Sequence, residues 1–250
     1  MPVMTIADGE IYYEEFGRGF PVLCFAPGSL RSQLDYWHHS PRDPTKPSPA
    51  MDPTADLAKD FRVIAMDQRN AGRSRAPIRA TDGWDTYARD HIALLDHLGV
   101  ARCHVLGACI GASFCLKLAE MVPDRIASAV LMQPIGRVPE NIEYTKRETA
   151  GNWGLGMCKT NPMIDLADVI ALGDRMFSLE FVHSVTREFV AKCPTPMLLM
   201  PGNDTAHPAA ISDEVLRLAP QIEYLKVWKG EGRAYSALCT RDFLLRNTPP

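Results

Sequence analysis

Residues 103–112 constrain the fold of this chain more than any other stretch. An apolar run ends at Ala108 and passes through Cys109 into a segment with the composition of a helix. Gly107 and Gly111 flank the cysteine. A strand that turns this sharply into a helix leaves little room for neighbouring Cβ atoms, which explains a glycine on each side. The pattern predicts that Cys109 stands at the apex of a strand-to-helix turn.

Two interpretations of Cys109 follow from this position. A thiol at the start of a helix is a good nucleophile, because the helix dipole favours the thiolate form. Alternatively, the segment is a tight turn in a doubly wound fold, and Cys109 is a small buried side chain without a chemical role. Residues elsewhere in the chain are needed to distinguish the two.

The composition fits one globular unit that does not bind nucleic acid or a membrane. The 250 residues are 46% hydrophobic and carry a net charge of −3, so there is no basic excess. The first residues do not resemble a secretion signal, and the seven scattered cysteines indicate neither a disulfide framework nor a zinc site. We expect a cytoplasmic protein without a metal or cofactor.

Strand-like and helix-like segments alternate along most of the chain. A hairpin is expected within residues 3–16, and residues 40–56, which are rich in proline, are expected to form an irregular surface loop. Buried strands are expected at residues 21–26, 61–66, 103–108, 126–132, 196–200 and 222–228. Helical spacing between most of these strands predicts an α/β fold with a mostly parallel sheet flanked by helices.

The alternation is interrupted between residues 135 and 190. Glycine and proline are frequent there, and helical pieces are expected at residues 140–149, 163–172 and 176–189. We expect a helical cap at residues 135–190, inserted into a core formed by residues 1–134 and 191–250. The alternative is a set of extra helices that pack on the core and cover no site.

In combination, four motifs resemble the α/β-hydrolase superfamily, and the resemblance covers nearly the whole chain. Residues 107–111 are similar to its nucleophile elbow. Residues 67–74 are similar to its Asp-x-Arg-Gly-x-Gly-x-Ser loop, with Asn70 where glycine is usual. Residues 27–29 stand where the family has His-Gly, and Asp204 follows a late apolar strand, where the family keeps its acid.

The resemblance implies roles for individual residues. Cys109 would be the nucleophile, as in the dienelactone hydrolases of this superfamily, and Asp204 would orient a histidine. The backbone N–H groups of Ile110 and of Ser29 or Leu30 would form the oxyanion hole.

Three further residues are candidates for contact with a substrate. Gly28 allows its loop to approach a ligand closely. Arg233 is expected near the mouth of the site, where it would bind an anionic group. Trp153 belongs to an apolar set in the insertion that would cover the site, although such residues also fit an ordinary hydrophobic core.

The chain departs from the family at the histidine. The family places its base in the loop after the last strand, and residues 230–235 contain no histidine. His207, three residues after Asp204, is the candidate base. Histidines in other segments are the alternatives: His38, His39 and His183. It also stays open that no triad operates, or that a substitution has removed the base.

The leading hypothesis is a hydrolase that cleaves a small ester, lactone or thioester through an acyl-enzyme on Cys109. Because the base is not in its usual place, two other hypotheses stay open. One is a protein that binds a small molecule without turning it over; the other is a lyase or isomerase in which Cys109 is incidental. A small-molecule substrate is the expected partner, and a homodimer is left open.

Overall fold

The computed structural model describes residues 2–147, 153–160 and 164–250. The strands are β1 (Val3–Ile6), β2 (Gly9–Phe16), β3 (Phe20–Phe25), β4 (His39–Ser40), β5 (Asp43–Pro47), β6 (Phe61–Met66), β7 (Cys103–Ala108), β8 (Ile126–Met132), β9 (Met197–Met200) and β10 (Ile222–Tyr224). The helices are α1 (Pro53–Asp56), α2 (Trp84–His97), α3 (Ile110–Met121), α4 (Ile142–Lys146), α5 (Leu155–Thr160), α6 (Leu166–Phe177), α7 (Arg187–Lys192), α8 (Ala209–Leu218) and α9 (Arg233–Arg246).

Eight strands of the described part of the chain form one sheet, in the order β1-β2-β6-β3-β7-β8-β9-β10. The β1–β2 and β2–β6 pairs are antiparallel, and all later neighbours in this order are parallel. The predicted mostly parallel sheet flanked by helices is therefore confirmed. Because parallel strands end at the same edge, the loops after β3, β7, β8 and β9 meet there. This edge carries the candidate site.

Hydrophobic side chains cover both faces of the sheet. Every residue of β7 and β8 is buried, as the continuous apolar runs predicted. Successive β7 side chains alternate between two clusters: Val105 belongs to the cluster that includes Leu94 and Phe114 of α2 and α3, whereas Leu106 belongs to the cluster that includes Phe243 of α9. The strand that leads into Cys109 is thus held from both sides.

The structure corrects the expectation of an irregular loop at residues 40–56. This segment contains the β4–β5 hairpin and helix α1. Prolines fit in the hairpin because a two-stranded ribbon has outer edges that need no backbone donor. Asp52 caps α1 by accepting a hydrogen bond of 3.0 Å from the backbone N–H of Thr54.

The helices of residues 135–190 also differ from the expectation. The helix expected at residues 176–189 is split, because α6 ends at Phe177 and α7 begins at Arg187. Phe181 and His183, with φ angles of 67° and 65°, interrupt helical geometry between them. Parts of the other two expected helices fall at residues 148–152 and 161–163, outside the described residues. The division into a core and a cap stays a prediction.

The last strand is shorter than expected. β10 ends at Tyr224, and one further bond, from the Leu225 N–H to the Leu199 carbonyl, closes the sheet. The chain then leaves the strand direction, and the Trp228 indole N–H donates to the Pro201 carbonyl over 3.0 Å. Within the described residues, no helix has both the length and the apolar character needed to cross a lipid bilayer.

Candidate active site

Cys109 forms the turn between β7 and α3 in a strained conformation, with φ 61° and ψ −120°. Its N–H donates to the Met132 carbonyl over 2.9 Å, which ties the turn to β8. A Cβ atom on Gly107 would lie 2.1 Å from the Gly111 carbonyl, and one on Gly111 would lie 2.3 Å from the Phe25 carbonyl oxygen. The close packing of backbone around the turn therefore requires both glycines.

The Cys109 thiol is buried, and its pKa is nevertheless lowered. Burial raises the pKa of the thiol, yet the positive charge of His207 and the backbone N–H groups of Gly28 and Ser29 more than offset this, and the pKa is about 7. Only 8% of the residue is exposed. A thiol with such a pKa is roughly half ionised at neutral pH. The environment thus favours a nucleophilic thiolate.

Residues 204–207 form a tight turn that carries an acid and a histidine together. The backbone N–H groups of Asp204 and His207 donate to each other's carbonyl oxygens over 3.2 and 3.1 Å. Asp204 Oδ1 also accepts bonds from the N–H groups of Ala206 (2.9 Å) and His207 (3.0 Å). The turn leaves His207 Nδ1 at 2.8 Å from Asp204 Oδ1.

Gly202 makes this turn possible. A Cβ atom at this position would lie 2.4 Å from the His207 carbonyl oxygen and 2.5 Å from the His207 Cβ atom. The absence of a side chain lets the histidine fold back beside the end of β9. The structure thus brings together Cys109, Asp204 and His207, the three residues predicted for catalysis.

The pairing fixes which nitrogen of His207 faces the thiol. A carboxylate only accepts hydrogen bonds, so Nδ1 carries the hydrogen toward Asp204. Nε2 is therefore the ring nitrogen that is left to face the thiol. Nε2 is buried and has no partner of standard hydrogen-bond geometry among the described residues, so Cys109 acts on the ring chiefly through its charge.

The charges of the three groups depend on each other. Burial lowers the pKa of His207, but the charge of Cys109 and the hydrogen bond to Asp204 outweigh it and raise the pKa to about 9. Hydrogen bonding from His207 holds the pKa of Asp204 well below its usual range. Because the thiol titrates below the imidazole, a thiolate beside an imidazolium is the favoured state between pH 7 and 9.

The loop after β3 presents backbone donors to the thiol. Gly28 and Ser29 have φ angles of 125° and 54°, and their backbone N–H groups lower the pKa of the Cys109 thiol. The side chain of Leu30 packs into the core, and the role predicted for its backbone N–H as the alternative donor stays a prediction. The N–H of Ile110 lies at the first position of α3, where a helix offers no internal acceptor.

The loop of residues 67–74 braces this donor loop. Asp67 is fully buried, and its carboxylate accepts bonds of 2.8 Å from the N–H of Leu34 and from the N–H and Nε of Arg73. A Cβ atom on Gly72 would lie 2.3 Å from Asp67 Oδ2. Asn70, which replaces the usual glycine, tolerates φ 60° and accepts a bond from the Ala76 N–H over 3.0 Å.

A cavity of about 260 Å³ lies beside these groups, and Cys109 and His207 form part of its wall. Apolar side chains line it from several segments: Trp37, Ile135 and Phe177. Arg31, Arg42 and Lys229 also reach it, and the sequence reasoning did not identify them as site residues. Lys229 could have been found from its position in the loop after β10, whereas no local signal marks Arg42.

Arg233 and Trp153, predicted to contact a substrate, are not brought to the cavity. Arg233 begins α9, and its guanidinium lies 4.0 Å from the Asp56 carboxylate. Because β10 ends early, the chain passes the cavity at Lys229 and has left it by Arg233. Trp153 is 4% exposed and packs in the hydrophobic core.

The other candidate histidines have different surroundings. His38 pairs with Asp52 over 2.8 Å, and His39 is exposed on β4. His183 lines the cavity, but its Nδ1–H donates to the Leu179 carbonyl over 2.9 Å. Burial lowers the pKa of His183 to about 4, so the ring is neutral. His207 is therefore the histidine with the partners of a base.

Comparisons with known proteins agree with this architecture. The family model for the alpha/beta hydrolase fold matches residues 23–155, more than half of the chain. The enol-lactonase from Burkholderia xenovorans LB400 superposes with a TM-score of 0.71 at 19% identity, over 98% of this chain and 100% of that chain. At this identity the likeness concerns the fold alone.

Two curated relatives match shorter stretches. A Variovorax paradoxus (strain S110) protein assigned as carbamate hydrolase RutD is 44% identical over 76 residues, 30% of this chain and 29% of that protein. A Mycobacterium tuberculosis protein assigned as non-heme bromoperoxidase BpoC is 28% identical over 182 residues, 67% of this chain and 63% of that protein. The match to the first relative thus spans less than a third of its length.

Proposed function

Because the chain belongs to the alpha/beta hydrolase fold family, we propose that it hydrolyses a small ester, lactone or thioester through an acyl-enzyme on Cys109. The observation that carries the proposal is the paired Asp204 and His207, whose imidazole lies in the field of the Cys109 thiol. An oriented base beside a nucleophile is the arrangement that acyl transfer requires.

In the first half of the reaction, the Cys109 thiolate attacks the acyl carbonyl carbon. The carbonyl π electrons move onto the oxygen, and the resulting oxyanion accepts hydrogen bonds from the N–H groups of Ser29, Gly28 and Ile110. As the intermediate collapses, the bond to the leaving group breaks, and the His207 imidazolium gives its proton to the departing alkoxide or thiolate. A thioester on Cys109 and a neutral His207 remain.

In the second half, water attacks the thioester carbonyl while His207 takes one of its protons. The same N–H groups hold the second oxyanion. Collapse breaks the carbon–sulfur bond, releases the carboxylic acid and returns Cys109 as a thiolate beside the imidazolium. One water is consumed for each ester, lactone or thioester bond that is cleaved.

The names of two similar proteins support an acyl substrate. One relative is assigned as a carbamate hydrolase, and one structural neighbour is an enol-lactonase. Carbamates and lactones are both carbonyl compounds that a nucleophile attacks at carbon. The cavity of about 260 Å³ lies at the small end of ligand pockets, which favours a substrate of modest size.

The reason for considering the two other hypotheses does not apply to the site as it is built. A binding protein and a lyase or isomerase were considered because no histidine follows the last strand. His207 offers a base beside the acid from a different loop. Neither alternative requires a Cys109 thiol whose pKa is lowered by His207 and by the backbone N–H groups of Gly28 and Ser29.

The test is hydrolysis of p-nitrophenyl acetate by the wild type and by Cys109→Ala. We expect the variant to lose activity by about 10³-fold or more, because the nucleophile and its base act as a unit. Mass spectrometry of the wild type under rapid quench should show an acetyl group bound to Cys109 as a thioester. Cys239→Ala is the matched control, since Cys239 is a partly exposed thiol of α9. Equal rates in Cys109→Ala and the wild type would rule out the mechanism.

A further inference from the structure

The side chains that line the cavity beside Cys109 include more cationic than acidic groups. Three cationic side chains from separate segments line it: Arg31 after β3, Arg42 between β4 and β5, and Lys229 after β10. None of them has a carboxylate at ion-pair distance among the described residues. Asp204 is the acidic lining residue, and its carboxylate is occupied by His207. Among the described residues, the three cations therefore face the cavity without a carboxylate paired directly to them.

Lys229 is the cation that is most firmly positioned. Its ammonium donates a hydrogen bond to the Gln133 side-chain oxygen and lies 4.5 Å from the centre of the Trp228 ring. Burial lowers the pKa of Lys229, although the nearby charges of Asp204 and Cys109 act in the opposite direction. A half-buried ammonium held by a neutral amide and an indole ring leaves its charge available to a ligand.

Arg42 approaches the same space from the β4–β5 hairpin. Its guanidinium donates to the Tyr144 hydroxyl over 3.4 Å, and the pKa of Arg42 is raised by this bond first and by the charges of Asp204 and Cys109 to a lesser degree. Arg42 in turn lowers the pKa of Lys229, so the two cations are close enough to repel each other. An anion bound between them would relieve this repulsion.

We propose that Lys229 and Arg42 bind a carboxylate of the substrate, so that the protein acts on an acyl compound with a second, negatively charged group. The inference rests on the proposed function. Half-esters of short dicarboxylic acids and lactones that carry a carboxylate match a cavity of about 260 Å³ with one apolar wall. The anionic group that was expected to bind at Arg233 is thus assigned to Lys229 and Arg42, which line the cavity.

The position of Lys229 gives this assignment a structural logic. Lys229 immediately precedes residues 230–235, the loop in which the family places its base. Because His207 supplies an imidazole from the turn after β9, the loop after β10 is not needed for proton transfer. Lys229 can therefore serve recognition, within the field of the nucleophile.

The test compares alkylation of Cys109 by iodoacetate and by iodoacetamide, at pH 8 and constant ionic strength. The two reagents differ in the negative charge of iodoacetate, and the ratio of their rates cancels any change in the thiolate fraction. We expect the ratio, relative to that of free glutathione, to be above one in the wild type. It should fall about tenfold in Lys229→Gln and in Arg42→Gln, as expected when a charge-assisted hydrogen bond is lost.

Two variants complete the test. Lys229→Arg keeps the charge and should retain most of the wild-type ratio, which excludes a mere folding defect. Lys226→Gln removes the same charge from an exposed position of the same segment and should leave the ratio unchanged. A ratio that is equal in the wild type, Lys229→Gln and Arg42→Gln would overturn the proposal. Alkylation needs only the thiolate, so this failure is distinguishable from a failure of Cys109 to hydrolyse esters.

Discussion

The Nδ1 atom of His207 lies 2.8 Å from Oδ1 of Asp204, three residues earlier in the chain. The two residues face each other because they close one turn by exchanging backbone hydrogen bonds. Gly202 leaves room for the histidine beside the end of β9. A single short turn thus holds a carboxylate against an imidazole, and several measurable consequences follow from the roles proposed for them.

Replacing the histidine should weaken the nucleophile as well as the base. In His207→Asn we expect the pKa of Cys109 to rise from about 7 toward its ordinary value of 9.0, because the cationic ring no longer stabilises the thiolate. The value of kcat/KM should fall by about 10²–10⁴-fold. Iodoacetamide alkylation against pH measures the first effect, and ester hydrolysis the second. His39→Asn, an exposed change on β4, is the control. If the pH midpoint of Cys109 alkylation stays near 7 in His207→Asn, His207 does not lower the pKa of the thiol.

Activity should depend on pH through the same pair. Below a pH of about 7 the thiol is protonated, so kcat/KM should rise as the pH passes this value. Above about 9 the imidazolium loses the proton that it gives to the leaving group, so kcat/KM should fall. Because the two groups interact, the pKa values that the two limbs report describe the Cys109–His207 pair as a whole rather than either residue alone. A pH–rate profile measures them, and activity that keeps rising beyond about pH 10 would refute the assignment.

The turn that holds Cys109 should not accept a side chain at Gly107. A Cβ atom there would lie 2.1 Å from Gly111 backbone atoms, so we expect Gly107→Ala to lower the free energy of unfolding by about 3 kcal/mol or more. Gly156→Ala is the matched control, because its added Cβ has no described heavy atom within 4 Å apart from its chain neighbours and the backbone of its own helix. In helix α5 this change should stabilise by about 0.5–1 kcal/mol. Urea unfolding measures the free energy of unfolding of both variants. Equal values would contradict the prediction that the backbone around Gly107 leaves no room for a Cβ atom.

Asp67 is expected to act on the site through the donor loop. Asp67→Asn weakens the bonds to Leu34 and Arg73 that hold the loop carrying Gly28 and Ser29. We expect kcat/KM to fall by about tenfold and the pKa of Cys109 to rise, because the N–H groups move away from the sulfur. Asp35→Asn is the control, since Asp35 is exposed and also pairs with Arg73. If the pH midpoint of Cys109 alkylation is the same in Asp67→Asn as in the wild type, the hydrogen bonds of Asp67 do not influence the thiol.

The sheet could be predicted from sequence because its central strands are buried on both faces. Continuous apolar runs mark β6 and β8 at their observed bounds. The turn at Cys109 could be predicted because only glycines fit beside it. These features depend on local sterics and burial, which neighbouring residues encode.

The substrate side of the site could not be predicted in the same way. Arg233 was expected at the mouth because β10 was expected to continue to residue 228, but the strand ends at Tyr224. The four-residue difference moves Lys229 to the cavity and Arg233 to Asp56. Arg42 arrives from a hairpin whose path depends on tertiary packing. Such positions are set by long-range geometry, which the sequence pattern does not reveal.

The turn at residues 204–207 also determines which distances in the site can vary. Its backbone and side-chain hydrogen bonds link Asp204 to His207 at several points. For a movement of the loop that keeps these bonds, we expect the carboxylate and the imidazole to move together with their separation preserved. The coordinate that changes is the gap between the imidazole and the sulfur of Cys109, which belongs to the central part of the sheet. Motion of this loop would therefore modulate the ionisation of the thiol and leave the acid–base pair intact.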